Sequence, residues 1–209
     1  MMFSWDLQLL KKINLEWTNS WLDWLMPAVS AINAWIPLFA LVVLLVLWHG
    51  GKQGRLLILC IALAVGIGDG VVSNTLKKTI GRVRPRDAVE GLVVRDLAPG
   101  KPDFLRLFKA PEQHPSKPRK ETWGKSFPSS HTVNMFTLAT VIALFHRRWG
   151  IFMYGVASLV AYSRLYVAAH WPSDIPPSAL LGILIGWGTV CLVDWVRARF
   201  FRAAEKGIR

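Results

Sequence analysis

Apolar runs long enough to cross a bilayer recur along this 209-residue chain, and they limit its fold more than any other feature. Backbone polar groups have no water to bond inside hydrocarbon, so such runs are expected as helices. Five are legible: about Ala34–Trp48, Leu56–Leu76, His131–His146, Trp149–Val167 and Pro177–Val196. The expected fold is therefore all-α, a polytopic membrane helical bundle of about five transmembrane helices. With 53% hydrophobic residues and 11 Trp, the chain is too apolar for an ordinary soluble enzyme. Its length suits one membrane-embedded domain over residues 1–209.

Two segments fall outside the runs. Residues 4–32 mix Trp5, Trp17, Trp21 and Trp24 with Asp6, Lys11, Lys12, Glu16 and Asp23. Aromatic belts with scattered charge predict helices lying in the membrane interface, with a crossing by residues 17–32 as the competing reading. No apolar core precedes a small-residue cleavage site, so no cleavable signal is expected. Residues 82–127 form a polar insertion rich in Pro, Lys and Arg.

The formal net charge is +12. No basic motif sits on a soluble fold, so nucleic acid is not an expected partner. Contact with anionic lipid heads and attraction of an anionic substrate fit better. Short-loop charge sets the orientation. Lys52 and Arg55, then Arg147 and Arg148, then Arg197, Arg199, Arg202, Lys206 and Arg209 share one side of a five-span chain. The positive-inside rule makes that side cytoplasmic. The insertion is basic too, with 11 Lys/Arg against six acids, but long segments bias orientation less than short ones.

Three clusters then fall together on the opposite face: Lys77 with Arg84-Pro85, Pro128-Ser129-Ser130-His131, and Ser163-Arg164 with His170 and Asp174. A lysine, two arginines, two histidines, a hydroxyl and a carboxylate suit metal-free cleavage of a phosphate ester. Guanidinium and ammonium groups neutralise phosphate oxygens, one imidazole attacks phosphorus and the other protonates the leaving oxygen. Taken singly, each cluster has a plainer reading. Ser129 could be an ordinary helix cap, Arg164 a snorkelling side chain and His170 a polar cap.

The ordered set resembles the phosphatidic acid phosphatase type 2 superfamily, whose pattern is Lys-x6-Arg-Pro, Pro-Ser-Gly-His and Ser-Arg-x5-His-x3-Asp. Order and internal spacings match. Ser130 stands where the family usually has glycine, which adds a Cβ close to where phosphate is held. The resemblance implies His170 as the nucleophile of a phosphohistidine intermediate, Asp174 as the group orienting it, and His131 as general acid. It implies Lys77, Arg84, Ser129, Ser130 and Arg164 as phosphate-binding residues. No cofactor is implied. Nor does the sequence carry a metal-binding motif, for it has no His-Glu-x-x-His, cysteine cluster or Asp-rich loop.

The implied function is a metal-independent lipid phosphatase of a bacterial inner membrane, with its site facing the periplasm. Lipid A 1-phosphate, undecaprenyl pyrophosphate and phosphatidylglycerol phosphate are the implied substrates. The basic insertion and Trp-rich N-terminus suit a bulky polyanionic lipid, which puts lipid A first and undecaprenyl pyrophosphate close behind. A phosphotransferase would use the same motifs. Soluble vanadium-dependent haloperoxidases share the pocket but not the spans, and a non-catalytic lipid binder would need neither histidine.

Three smaller readings complete the chain. Asp69, Ser73 and Lys77 are four residues apart and would stack on one helix face. Asp69 could support Lys77 or simply bond a neighbouring helix. Gly182 and Gly186 have helix-packing spacing. Cys60 and Cys191 are expected as buried small hydrophobes rather than a disulfide or metal pair.

Overall fold

The computed structural model describes residues 3–119 and 123–201. Lys120, Glu121, Arg202, Lys206 and Arg209, counted above as loop and tail charges, lie outside the described residues. The chain opens with α1 (Ser4–Lys11), prolonged by a π-turn at Lys12–Glu16, and α2 (Ser20–Ser30). A 3-10 turn at Ile32–Trp35 leads into α3 (Ile36–His49). Next come α4 (Gly51–Val65), a π-helical stretch Gly66–Ser73 and α5 (Asn74–Ile80). The insertion holds α6 (Pro85–Ala88), β1 (Val93–Asp96), a 3-10 turn at Asp103–Phe108 and β2 (Glu112–Pro115). Three long helices follow: α7 (Ser130–Phe145), α8 (Arg147–Tyr166) and α9 (Ile175–Val196).

The helical membrane bundle expected from the sequence is present. Three stretches are long and apolar enough to cross a bilayer by themselves: Ile32–His49, Gly51–Ala88 and Pro172–Phe200. Helices α7 and α8 complete a five-helix bundle. At 16 residues α7 is short for a ~30 Å hydrocarbon core, but it is central, packed between α8 and α9 and touching α4. Peripheral α3 buries none of its residues, as expected for a helix facing lipid.

The bundle is drawn tight by small residues. A Cβ on Gly182 would lie 2.4 Å from the Val133 carbonyl oxygen, and one on Gly186 would lie 2.9 Å from that of Thr137. Close approach of α9 to α7 thus requires both glycines. The Thr137 hydroxyl uses the proximity to donate to the Gly182 carbonyl at 3.1 Å. Cys60 is buried between α4, α7 and α9 as expected, whereas Cys191 is exposed on α9, the opposite of its expected place. On a membrane helix, an outward-facing small apolar residue meets lipid instead of water.

The N-terminal segment contains no helix long enough to span a bilayer by itself among the described residues. At 11 residues α2 is too short, and it packs on α8 while α1 packs beside the turn before α9. The outer faces of α1 and α2 expose Trp5, Trp21 and Trp24, and Trp17 is exposed in the link between them. The inner side of these helices combines apolar packing, with Leu10 and Met26 clustered with Leu165, Tyr166 and Trp171, and buried polar contacts. Buried Asn14 donates to the carbonyls of Val93 at 2.8 Å and Tyr166 at 2.7 Å, and accepts from the Val93 N–H at 2.9 Å. Arg95 adds an ion pair with Asp23 at 2.6 Å and lies over the Tyr166 ring. These contacts fasten the N-terminal helices, the insertion and the end of α8 to one another. Strands β1 and β2 form an antiparallel hairpin, with Val94 opposite His114 and Asp96 opposite Glu112. These strands are an addition to the polar insertion expected from the sequence.

Candidate functional site

The three clusters converge at one end of the bundle because each sits where a helix starts or stops. Helix α5 carries Lys77 and ends at Gly81, whose φ of 60° is left-handed. A Cβ at Gly81 would also strike the Trp123 ring at 2.4 Å, so glycine is needed here on both counts. The chain then runs extended through Arg84 into α6. Helix α7 begins at Ser130, placing His131 in its first turn. Helix α8 brings Arg164 to its last turn, and a reversal through Ala168, left-handed at φ 56°, delivers His170. Such a conformation costs about 1–2 kcal/mol for a residue with a Cβ, so the surrounding packing must impose it.

His170 is almost fully buried. Its Nδ1 lies 2.6 Å from the Ser126 carbonyl oxygen and 3.7 Å from Asp174 Oδ2. A carbonyl can only accept, so Nδ1 carries the proton and neutral His170 presents a free lone pair at Nε2. The resemblance implied that Asp174 orients this ring. In the structure the direct contact is the Ser126 backbone, and Asp174 stands one step behind. Ser126 joins the two, because its hydroxyl donates to Asp174 Oδ2 at 2.6 Å. The same oxygen accepts the Trp171 N–H at 2.9 Å. Burial drives the His170 pKa down to about 4, with the charge of Arg164 adding to the effect and Asp174 opposing it.

Asp174 Oδ1 accepts from Arg82 Nη1 at 2.5 Å. Arg82 reaches the other way with Nη2 to Asp6 Oδ2 at 2.6 Å, and its guanidinium lies over Trp171. Asp6 also takes the Ser173 N–H at 2.8 Å and the Ser173 hydroxyl at 2.6 Å. Asp6, Arg82, Ser126 and Ser173 were absent from the sequence-derived site. Arg82 is hidden in the six-residue gap of the first cluster, and Asp6 reads as one more charge among interfacial tryptophans. No local pattern marks Ser126.

The cations are disposed differently from one another. Lys77 Nζ donates to Ser130 Oγ at 2.5 Å, so the serine that replaces the usual glycine supplies a partner for the amine. Lys77 makes no ion pair with Asp69 among the described residues. The π-helical stretch that holds Asp69 has a wider turn than an α-helix, which spoils the four-residue stacking. Arg164 Nη1 donates to the Ser30 carbonyl at 3.2 Å and to the Ser30 hydroxyl. The Nε atoms of both Arg84 and Arg164 are buried without a hydrogen-bond partner among the described residues. Half-buried His131 lies within electrostatic reach of Arg164, His170, Lys77 and Arg84.

Ser129 is the inward-facing member. Its Oγ caps α7, taking the Thr132 hydroxyl at 3.0 Å and the Thr132 N–H at 3.4 Å. Its own N–H goes to Ser178 Oγ at 2.9 Å, and Ser178 donates to the Asp174 carbonyl at 2.6 Å. The start of α7 is thereby locked to the start of α9, next to His170 and Asp174.

Comparison with known proteins decides the family. Residues 53–198 match the model of the PAP2 superfamily. The chain belongs to that superfamily. It is 30% identical over 186 residues to a lipid A 4'-phosphatase of Bacteroides thetaiotaomicron, covering 87% of this chain and 74% of that protein. An undecaprenyl-diphosphatase of Sulfolobus acidocaldarius is 29% identical over 158 residues, covering 75% of this chain and 62% of its own length. Among solved structures, Aquifex aeolicus LpxE superposes with a TM-score of 0.62 at 25% identity, covering 90% of this chain and 96% of that one. The chain is a membrane-embedded phosphatase of this superfamily.

Proposed function

We propose that the chain is a metal-independent lipid phosphatase that works through a phosphohistidine at His170. One observation carries this reading most directly. A neutral imidazole with Nδ1 fixed by a carbonyl lies within electrostatic reach of two arginines whose buried Nε–H groups have no partner among the described residues. Buried cationic donors are costly to leave unpaired, and a phosphate group supplies both charge and acceptors.

His170 Nε2 attacks phosphorus as the bond from phosphorus to the lipid oxygen breaks, and His131 gives that oxygen its proton. Deprotonated His131 then takes a proton from water. The resulting hydroxide attacks the phosphohistidine, the P–N bond breaks, and inorganic phosphate leaves. Arg84, Arg164 and Lys77 hold the non-bridging oxygens and stabilise the charge that shifts between the two steps. Ser130 holds the Lys77 amine in place, and the first turn of α7, capped by Ser129, adds free N–H groups toward the anion. Asp174, through Ser126, keeps the His170 ring in its attacking tautomer.

The substrate we propose is a lipid A phosphate, with undecaprenyl diphosphate and phosphatidylglycerol phosphate as the other members of the class. The relative named above as a lipid A 4'-phosphatase supports that order. The enzyme would sit in a bacterial inner membrane with this site facing the periplasm. Phosphate release from each of the three lipids by purified protein in EDTA tests the proposal. Turnover of at least one lipid supports it, while turnover of none, or only after a divalent metal is restored, contradicts it.

A further inference from the structure

Beside the phosphate site the insertion builds a polar cleft of about 520 Å³. Its walls are Arg84 and Arg86 at the start of α6, Asp96 on β1, His114 on β2, and Lys117 beyond the hairpin, with Asp87 also lining it. The volume lies within the ~300–1,000 Å³ typical of small-molecule sites and far exceeds what a single phosphate needs. We propose that this cleft is a headgroup subsite for a phosphorylated sugar, and that it selects lipids whose phosphate is carried on a sugar bearing a second anionic group. The inference rests on the proposed role of Arg84, because that residue belongs to both sites and ties the cleft to the reacting phosphate.

The charge pattern favours a sugar. Arg86 faces Asp96 at 3.7 Å, and Asp87 faces Arg119 at 3.7 Å, so the cleft wall offers both donors and carboxylate acceptors. Hydroxyl groups both donate and accept, and they satisfy such a wall on both counts. A bare diphosphate offers only acceptors, so it gives the Asp87 and Asp96 oxygens no donor. A prenyl diphosphate also has no polar group left to occupy the space once its phosphates sit on the site cations. Lys117 is exposed and has no ion-pair partner among the described residues, leaving one positive charge for a second anion. The cleft stays open because the hairpin is held from behind. Ser116 donates to the Val89 carbonyl at 2.8 Å and accepts the Leu92 N–H at 3.0 Å, while Asn14 grips Val93.

Lys117→Ala separates the alternatives, because an exposed side chain with no ion-pair partner among the described residues can be removed without unfolding the chain. Two substrates in mixed micelles with EDTA serve as probes: lipid A carrying both phosphates, and dioctanoyl phosphatidic acid, which has no sugar. The variant should raise KM for lipid A about tenfold with kcat retained, the mark of lost uniform binding, and leave phosphatidic acid hydrolysis unchanged. Asp96→Ala should act in the same direction. Equal losses on both substrates, or none on either, would overturn the subsite. So would wild-type protein that hydrolyses phosphatidic acid but not lipid A. Wild type that releases phosphate from neither lipid would instead remove the phosphatase reading, and the subsite with it.

Discussion

Arg82 Nη1 lies 2.5 Å from Asp174 Oδ1, tying the carboxylate behind His170 to a cation that no motif names. The other arm of Arg82 pairs with Asp6 at 2.6 Å, so the first helix of the chain is joined to the site through one guanidinium. Both carboxylates are fully buried. Removing one partner of a buried pair typically costs about 3–5 kcal/mol, because the remaining charge stays desolvated. Arg82→Ala is therefore expected to lower the melting temperature in detergent and to reduce kcat. Arg82→Lys should recover stability better than activity, since lysine cannot serve two carboxylates as a planar fork. A melting temperature and kcat both at wild-type level in Arg82→Ala would show that the bridge is idle.

Arg84 and Arg164 are expected to resist conservative exchange. Lysine preserves the charge but lacks the paired planar donors that fit two phosphate oxygens. Arg84→Lys and Arg164→Lys should each lose roughly 3 kcal/mol of transition-state stabilisation, on the order of a hundredfold in kcat/KM. Steady-state phosphate release measures this. Rates within a factor of two of wild type for both would take them out of the phosphate clamp.

His170 should remain neutral far into acid. Its pKa is pushed down to about 4, first by burial, so the unprotonated nucleophile persists above that pH and is lost only as pH falls through it. Titration of free enzyme labelled at histidine carbons, with His170→Ala identifying the resonance, should place the midpoint well below the 6.5 of an unperturbed imidazole. A midpoint at or above 6.5 would mean that the ring is solvated or paired as a cation.

The proposed orientation is open to single-cysteine labelling after Cys60 and Cys191 are replaced. Ser116 is buried, so Gln113, exposed on β2, is the better probe of the insertion; Gln53, exposed at the start of α4, reports the other side. An impermeant thiol reagent on intact spheroplasts should label Gln113→Cys and spare Gln53→Cys. The reverse pattern would turn the site toward the cytoplasm.

The bundle was legible because apolar runs and interrupting charges are local signals; α7, α8 and α9 begin within a few residues of their expected starts. The three clusters that converge at one end of the bundle were legible through spacing, which a family pattern captures. What surrounds them was not. Asp6 and Asp174 are joined only when α1 folds onto the turn at Pro172–Asp174, a contact across most of the chain. Ser126 acts partly through its carbonyl, which any residue type would supply. Ser130 raised the question of whether an added Cβ would crowd the ligand, whereas its hydroxyl turned out to engage Lys77. The β-hairpin escaped notice because Glu112–Pro115 is polar and exposed, with none of the alternation that marks a half-buried strand.

The most direct test of the central claim is mass analysis of enzyme quenched in alkali, where phosphohistidine survives, during turnover of a lipid phosphate in EDTA. Deprotonated His131 is proposed to activate the water, so His131→Ala should accumulate the intermediate when the leaving group is good. The account predicts one added phosphoryl group on the peptide containing His170, absent from His170→Ala, which should be folded and inactive. Full turnover by His170→Ala, or a phosphoryl group found on another residue, would contradict it.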